Sequence, residues 1–104
     1  VAGDSMSPTL VEGDWLVVSW AAEPNVPDLK ELKVYVIERV DRPGVFVLKR
    51  VIEIGSGENF GKVWVEGDNE ASTDSRQWGW IYESEVRARV LFRFKKANSK
   101  RGRK

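Results

Sequence analysis

The residues that could react stand far apart in the chain. One is Ser5, in the opening run Gly3-Asp4-Ser5-Met6-Ser7-Pro8-Thr9-Leu10, and the other is Lys49, inside an otherwise apolar stretch. A serine hydroxyl needs a base to become a nucleophile. Histidine is the commonest such base and the chain contains none, so a Ser-His-Asp arrangement is ruled out by counting. Lysine remains, and the Ser-Lys pair is a known variant of the triad logic. To serve as a base the amine must fall from a pKa of about 10.4 to roughly 7 or 8, which desolvation can bring about. In a strand over 45–54, alternation puts Lys49 on one face with Val47 and Val51, and Leu48, Arg50 and Ile52 on the other. If the first face is core, the amine is desolvated, and the neighbouring charge of Arg50 is expected to push in the same direction. The same pattern also fits an edge-strand lysine that snorkels to water. Ser5 is likewise open to two readings: a nucleophile aimed by its turn, with its own N–H as an oxyanion donor, or a solvated turn serine.

The elements that must position this pair read as strands. A turn over 5–10 and a second turn signal at Val11-Glu12-Gly13-Asp14 precede the apolar run 15–18, expected to be a buried strand. Residues 21–33, with Pro24 and Pro27, read as a loop that holds one helical turn around Leu29 to Leu32, capped by Asp28. Residues 34–40 and 45–54 flank the turn tetrad Asp41-Arg42-Pro43-Gly44 and form a hairpin. After a flexible turn at 55–59 another strand covers 62–66, and the polar stretch 67–79 is a loop of the kind that carries function on a scaffold. Residues 86–94 alternate, with Val86, Ala88, Val90, Phe92 and Phe94 on one face and Arg87, Arg89 and Arg93 on the other. About five strands without a convincing helix make the chain all-β.

Bulk composition narrows the function classes. A chain of 104 residues is the size of one domain. With neither cysteine nor histidine, disulfides, thiolate nucleophiles and the commonest soft-metal ligands are absent, so neither a metal nor another cofactor is expected. Residues 95–104 hold six basic residues and no acid, which leaves 11 basic against 16 acidic residues in 1–94. An acidic body argues against nucleic acid as the main partner, and the basic end is expected to be a disordered tail. No run approaches the roughly 20 apolar residues of a membrane span, so the sequence reads as a soluble piece. It begins at Val1 rather than methionine and reads as a fragment or processed form, in which a preceding anchor or targeting segment would not be seen. Five tryptophans exceed the needs of a core this size, so some are expected to face a partner or a membrane interface.

Four stretches in order, GDSMSPTL, GDWLVV, VLKRVI and GDNEASTDSRQWG, resemble the successive conserved boxes of the type I signal peptidase family. The resemblance covers most of residues 2–94 and implies that Ser5 is the nucleophile and Lys49 the general base. It further implies that the Ser72 hydroxyl orients the lysine, that Asp74 and Arg76 form a supporting ion pair, and that Arg50 pairs with Asp68. Met6, Leu10 and Leu48 would line shallow apolar pockets for small substrate side chains, for which plain core packing is the other reading. The fold implied is a single compact domain of antiparallel strands forming a coiled or partly open barrel, spanning 1–94. Two places depart from the family pattern: Gly3 stands where some members carry a serine as second oxyanion donor, and 29–34 lacks the usual Gly-Asp step. The short span from Lys49 to Gly67 resembles compact members such as mitochondrial inner-membrane peptidases and nickel superoxide dismutase maturation proteases.

The function this implies is that of a serine endopeptidase removing N-terminal signal or targeting peptides after small residues, as in the Ala-x-Ala pattern. Its partners would be precursor proteins, bound in extended form at a sheet edge, and a membrane reached through an N-terminal anchor. The expected location is the trans side of a bacterial cytoplasmic or mitochondrial inner membrane. Two other readings are a self-cleaving repressor-type Ser-Lys protease, whose family lacks the box from GDN to DSR, and a non-catalytic β-barrel module that binds RNA through tryptophans and the basic tail.

Overall fold

A computed structural model describes residues 5–10, 13–21 and 27–95, apart from the side chains of Phe94 and Lys95. The Gly3 position, Pro24 and residues 96–104 of the basic tail lie outside the described residues. The described chain is all-β, with one antiparallel sheet of six strands in the order β1-β6-β2-β3-β4-β5. The strands are β1 (Asp14–Trp20), β2 (Val34–Glu38), β3 (Phe46–Ile54), β4 (Lys62–Glu66), β5 (Ile81–Tyr82) and β6 (Val86–Lys95). β1 and β5 end the sheet, which does not close into a barrel.

β2 to β5 run as a meander, and β6 then returns to pair with both β2 and β1. The β2–β3 hairpin forms where the Pro-Gly tetrad places it, with Gly44 at φ 84°, in the left-handed region that glycine tolerates, and its N–H donating to Glu38 Oε2 at 2.7 Å. The core is a layer of Tyr35, Ile37, Val51, Val63, Val65, Ile81 and Val86, with Leu29, Val47, Ile54 and Trp78 packed at its margin. Register explains the layer: Tyr35 stands opposite Lys49, Ile37 opposite Val47 and Val51 opposite Val65. Opposed residues of an antiparallel pair share a face, so Lys49 lies on the core side of β3.

Three local expectations change. No helical turn forms over Leu29 to Leu32. Instead the Tyr35 hydroxyl donates to the Asp28 carbonyl and accepts from the Lys30 N–H, both at 2.8 Å, and Leu32 takes φ 70°. The run 15–18 belongs to an edge strand that is half exposed rather than buried, because β1 pairs only with β6. The stretch 67–79 is not all loop: α1 (Ser75–Trp78) makes one helical turn behind an Asp74 cap, with Gln77 completing a capping box. Among the described residues no helix is long and apolar enough to cross a membrane.

Candidate active site

The site is assembled where the end of β4 meets the first turn of the chain. Gly67, Asp68 and Asn69 follow β4, and each fastens something. The Gly67 N–H donates to Asp74 Oδ2 at 2.7 Å and the Asn69 N–H donates to the Ser5 carbonyl at 2.9 Å. The Asp68 N–H points at Met6 Sδ at 3.4 Å, while its carboxylate takes a two-pronged bond from Arg50, Nε at 2.9 Å and Nη2 at 2.7 Å. Gly67 is required by close approach: a Cβ there would collide with Ser72 Oγ and with the Ser5 carbonyl oxygen. The loop thus clasps the Ser5 turn against the sheet.

Behind the clasp lies a buried acid. Asp74 is 0% exposed, and a carboxylate out of water is costly unless its lone pairs are matched. Burial pushes its carboxyl up, but bonds from the Arg76 guanidinium, the Gly67 N–H, the Ser72 hydroxyl and the Arg76 N–H outweigh it and hold the group far below the usual range. The Ser72 hydroxyl donates to Asp74 Oδ2 at 2.7 Å and accepts from Arg76 Nη2 at 3.2 Å. Arg76 in turn reaches Asp74 through Nε at 2.9 Å and Nη2 at 2.6 Å. Both ion pairs expected from the motifs, Arg50 with Asp68 and Arg76 with Asp74, are present.

Lys49 is 3% exposed, so it does not snorkel. Burial lowers its pKa from the ordinary 10.5, Asp74 opposes the shift and Arg76 assists it. The assisting cation is therefore Arg76 and not Arg50. Adjacent strand residues point to opposite faces, and the Arg50 charge is taken up by Asp68. Lys49 Nζ also stands 5.9 Å from the centroid of the Trp78 ring.

Ser5 and Lys49 border one cavity of about 360 Å³, together with Arg39, Arg42, Val45, Val47, Thr73 and Trp78. The residues at positions 5 and 49 thus border the same cavity across 44 positions of sequence. Ser72 is less direct. Among the described residues no hydrogen bond joins it to Lys49, and its donor is committed to Asp74. One acceptor lone pair is left after the bond from Arg76. Met6 and Leu10 are buried, and Leu48 lies on the opposite face of β3 across from Val36. None of the three borders the cavity; Val45, Val47 and Trp78 supply its apolar wall. Arg39 carried no site signal in the sequence, and Thr73 and Trp78 stood inside the GDNEASTDSRQWG stretch without a role of their own. The Asp-x-x-Gln spacing of Asp74 and Gln77 was such a signal for the helix that brings Trp78 round.

Among the described residues no group of three or more acidic, cysteine or histidine side chains could hold a metal ion. What the arrangement offers chemically is a hydroxyl and a desolvated amine on one partly apolar cavity. Protein-family models give no match to this chain, and neither do curated proteins.

Proposed function

We propose that this chain is a Ser-Lys endopeptidase that removes N-terminal signal or targeting segments after small residues. The observation that carries the reading is the burial of Lys49 on the cavity that Ser5 borders, in a chain without histidine. A neutral Lys49 amine takes the proton of the Ser5 hydroxyl as Oγ attacks the scissile carbonyl carbon. The tetrahedral oxyanion collapses, the C–N bond breaks, and the ammonium returns the proton to the leaving amine. Water then attacks the acyl-serine ester, again deprotonated by Lys49, and frees the serine and the new carboxylate. The Ser5 N–H is assigned as an oxyanion donor, and Asp74 with Arg76 and Ser72 holds the polar surroundings of the amine.

The substrate binds extended, with its small side chains against Val45 and Val47. Precursor proteins are the partners under this reading, and an upstream membrane segment delivers the domain to them. The experiment is cleavage of a peptide with alanine at the two recognition positions. Ser5→Ala and Lys49→Ala should each abolish turnover to a similar degree, because a cooperating pair fails when either member is lost. Turnover should rise with pH along one ionisation below 10.5. A Lys49→Ala chain that retains near-unaltered turnover sinks the mechanism.

A further inference from the structure

The cavity continues past the reacting pair. Lys49 and Val47 follow one face of β3 towards the hairpin turn, Val45 stands just before the strand, and at that end the lining becomes basic, with Arg39 and Arg42. The Arg39 guanidinium stacks on Trp78, Cζ 4.4 Å from the ring centroid, on the same indole that Lys49 approaches. Arg39 Nε is shut off from solvent with no acceptor among the described residues. Its Nη1 has only the exposed Asp41 at 3.5 Å, a spacing beyond a good charge-assisted hydrogen bond. No ion pair engages the exposed Arg42 among the described residues. Among the described residues the other acids near this end are engaged: Glu38 faces the Gly44 N–H and Arg87, Glu85 accepts from the Val40 and Tyr82 N–H groups, and Asp74 is held by Arg76. Two guanidinium groups therefore border a cavity on which, among the described residues, no carboxylate stands.

We propose that the Arg39 and Arg42 end of this cavity is a subsite for an acidic side chain of the substrate, two or three residues from the scissile bond. The proposal rests on the reading of Ser5 and Lys49 as the reacting pair. The shared indole bounds the spacing: the Arg39 and Lys49 charges lie no more than roughly 10 Å apart and an extended peptide advances about 3.3 Å per residue, so the subsite lies within about three residues. A guanidinium fork matches a carboxylate, and contact with the Trp78 ring restrains the Arg39 group before the ligand arrives. The same charges turn away a lysine or arginine at that position, so the subsite discriminates in both directions.

The test uses the full chain carrying Ser5→Ala, so that binding is read without turnover. Fluorescently labelled peptides with alanine at the two recognition positions carry Glu, Gln or Lys, in turn, two or three residues to either side of the cut. Fluorescence anisotropy should show the Glu peptide binding about tenfold or more tightly than its Gln counterpart at one of these positions, as a charge-assisted pair predicts. Added salt and Arg42→Ala should erode that preference, and Arg42→Glu should shift it towards the Lys peptide. Equal affinities for the three peptides, or no measurable binding of any Glu peptide, overturns the proposal. Cleavage by the unaltered chain is scored separately. A Glu preference in binding without turnover leaves the subsite standing and defeats the peptidase reading, whereas turnover with no preference does the reverse.

Discussion

The two ends of the sheet solve opposite problems. Around Lys49 the structure buries polar groups and pairs them: Asp74, with no exposure, receives the Arg76 guanidinium, the Ser72 hydroxyl and two backbone N–H groups. At the other end β6 runs beyond its last β2 partner, Arg89, and pairs with β1 alone. There the structure exposes apolar groups, with Trp15 52%, Leu91 51% and Phe92 58% exposed, and the ladder is broken by a register shift at Val17/Val18. Among the described residues no second layer covers this two-stranded ribbon, whereas the Lys49 end is covered by the loop 67–79 and α1. Desolvation of the amine therefore depends on a lid held together by hydrogen bonds, and substitutions at the two ends should differ sharply in cost.

The largest effect is expected from Asp74→Ala. It leaves the buried Gly67 N–H without its acceptor and removes a carboxylate that also takes bonds from the Ser72 hydroxyl, the Arg76 guanidinium and the Arg76 N–H, and hydrogen bonds to a charged group contribute about 1.5–3 kcal/mol each. Urea unfolding measures it, and a loss below about 1 kcal/mol would make the two ends equivalent. The same acid predicts a pH response. Because its folded pKa is depressed, its contribution is complete above the ordinary 3.8 and is lost as pH falls from there through the folded value. Asp74→Asn should flatten that acid limb of the stability curve.

Next comes Ser72→Ala, which removes one hydrogen bond to Asp74 and one acceptor for Arg76. Peptide turnover should fall by an amount corresponding to about 1–3 kcal/mol without vanishing. Unchanged kinetics would confine Ser72 to the structure of the loop.

Lys49→Met sharpens the comparison by direction. The folded pKa of Lys49 is lowered, so the native state binds fewer protons than the unfolded one between that folded value and 10.5. Stability accordingly rises with pH across this window, and the penalty of the buried charge is full below it. The methionine variant should be more stable than the parent at the acid side of the window, with the advantage shrinking as pH rises, while turnover is lost. Thermal melts across pH check this, and a constant difference at all pH values would place the amine in water.

The smallest effect belongs to the ribbon. Phe92→Ser removes an exposed ring and should change folding stability by no more than about 0.5 kcal/mol, with peptide turnover unchanged. A larger loss in urea unfolding would show that the ribbon packs as tightly as the other end.

Local pattern alone was enough for the all-β class, the β2–β3 hairpin and β4, because turn tetrads and two-residue alternation act over a few neighbours. It also put Lys49 on the face of Val47 and Val51, and the absence of histidine left lysine as the candidate base. Other features needed the assembled chain. Whether that face was core or edge depended on β2 and β4 flanking β3, and the half-exposed state of β1 depended on β6 arriving beside it. The two-residue β5 was too short to show a period. Which cation assists Lys49, and which side chains wall the cavity, followed from α1 folding back over the sheet behind the Asp74 cap. That step brings Trp78 to Arg39 and to Lys49, contacts spanning 39 and 29 positions that no local periodicity encodes. Sequence pattern acts within a strand or a turn; the environment of a buried charge is set by everything that packs against it, and only the tertiary structure assembles that.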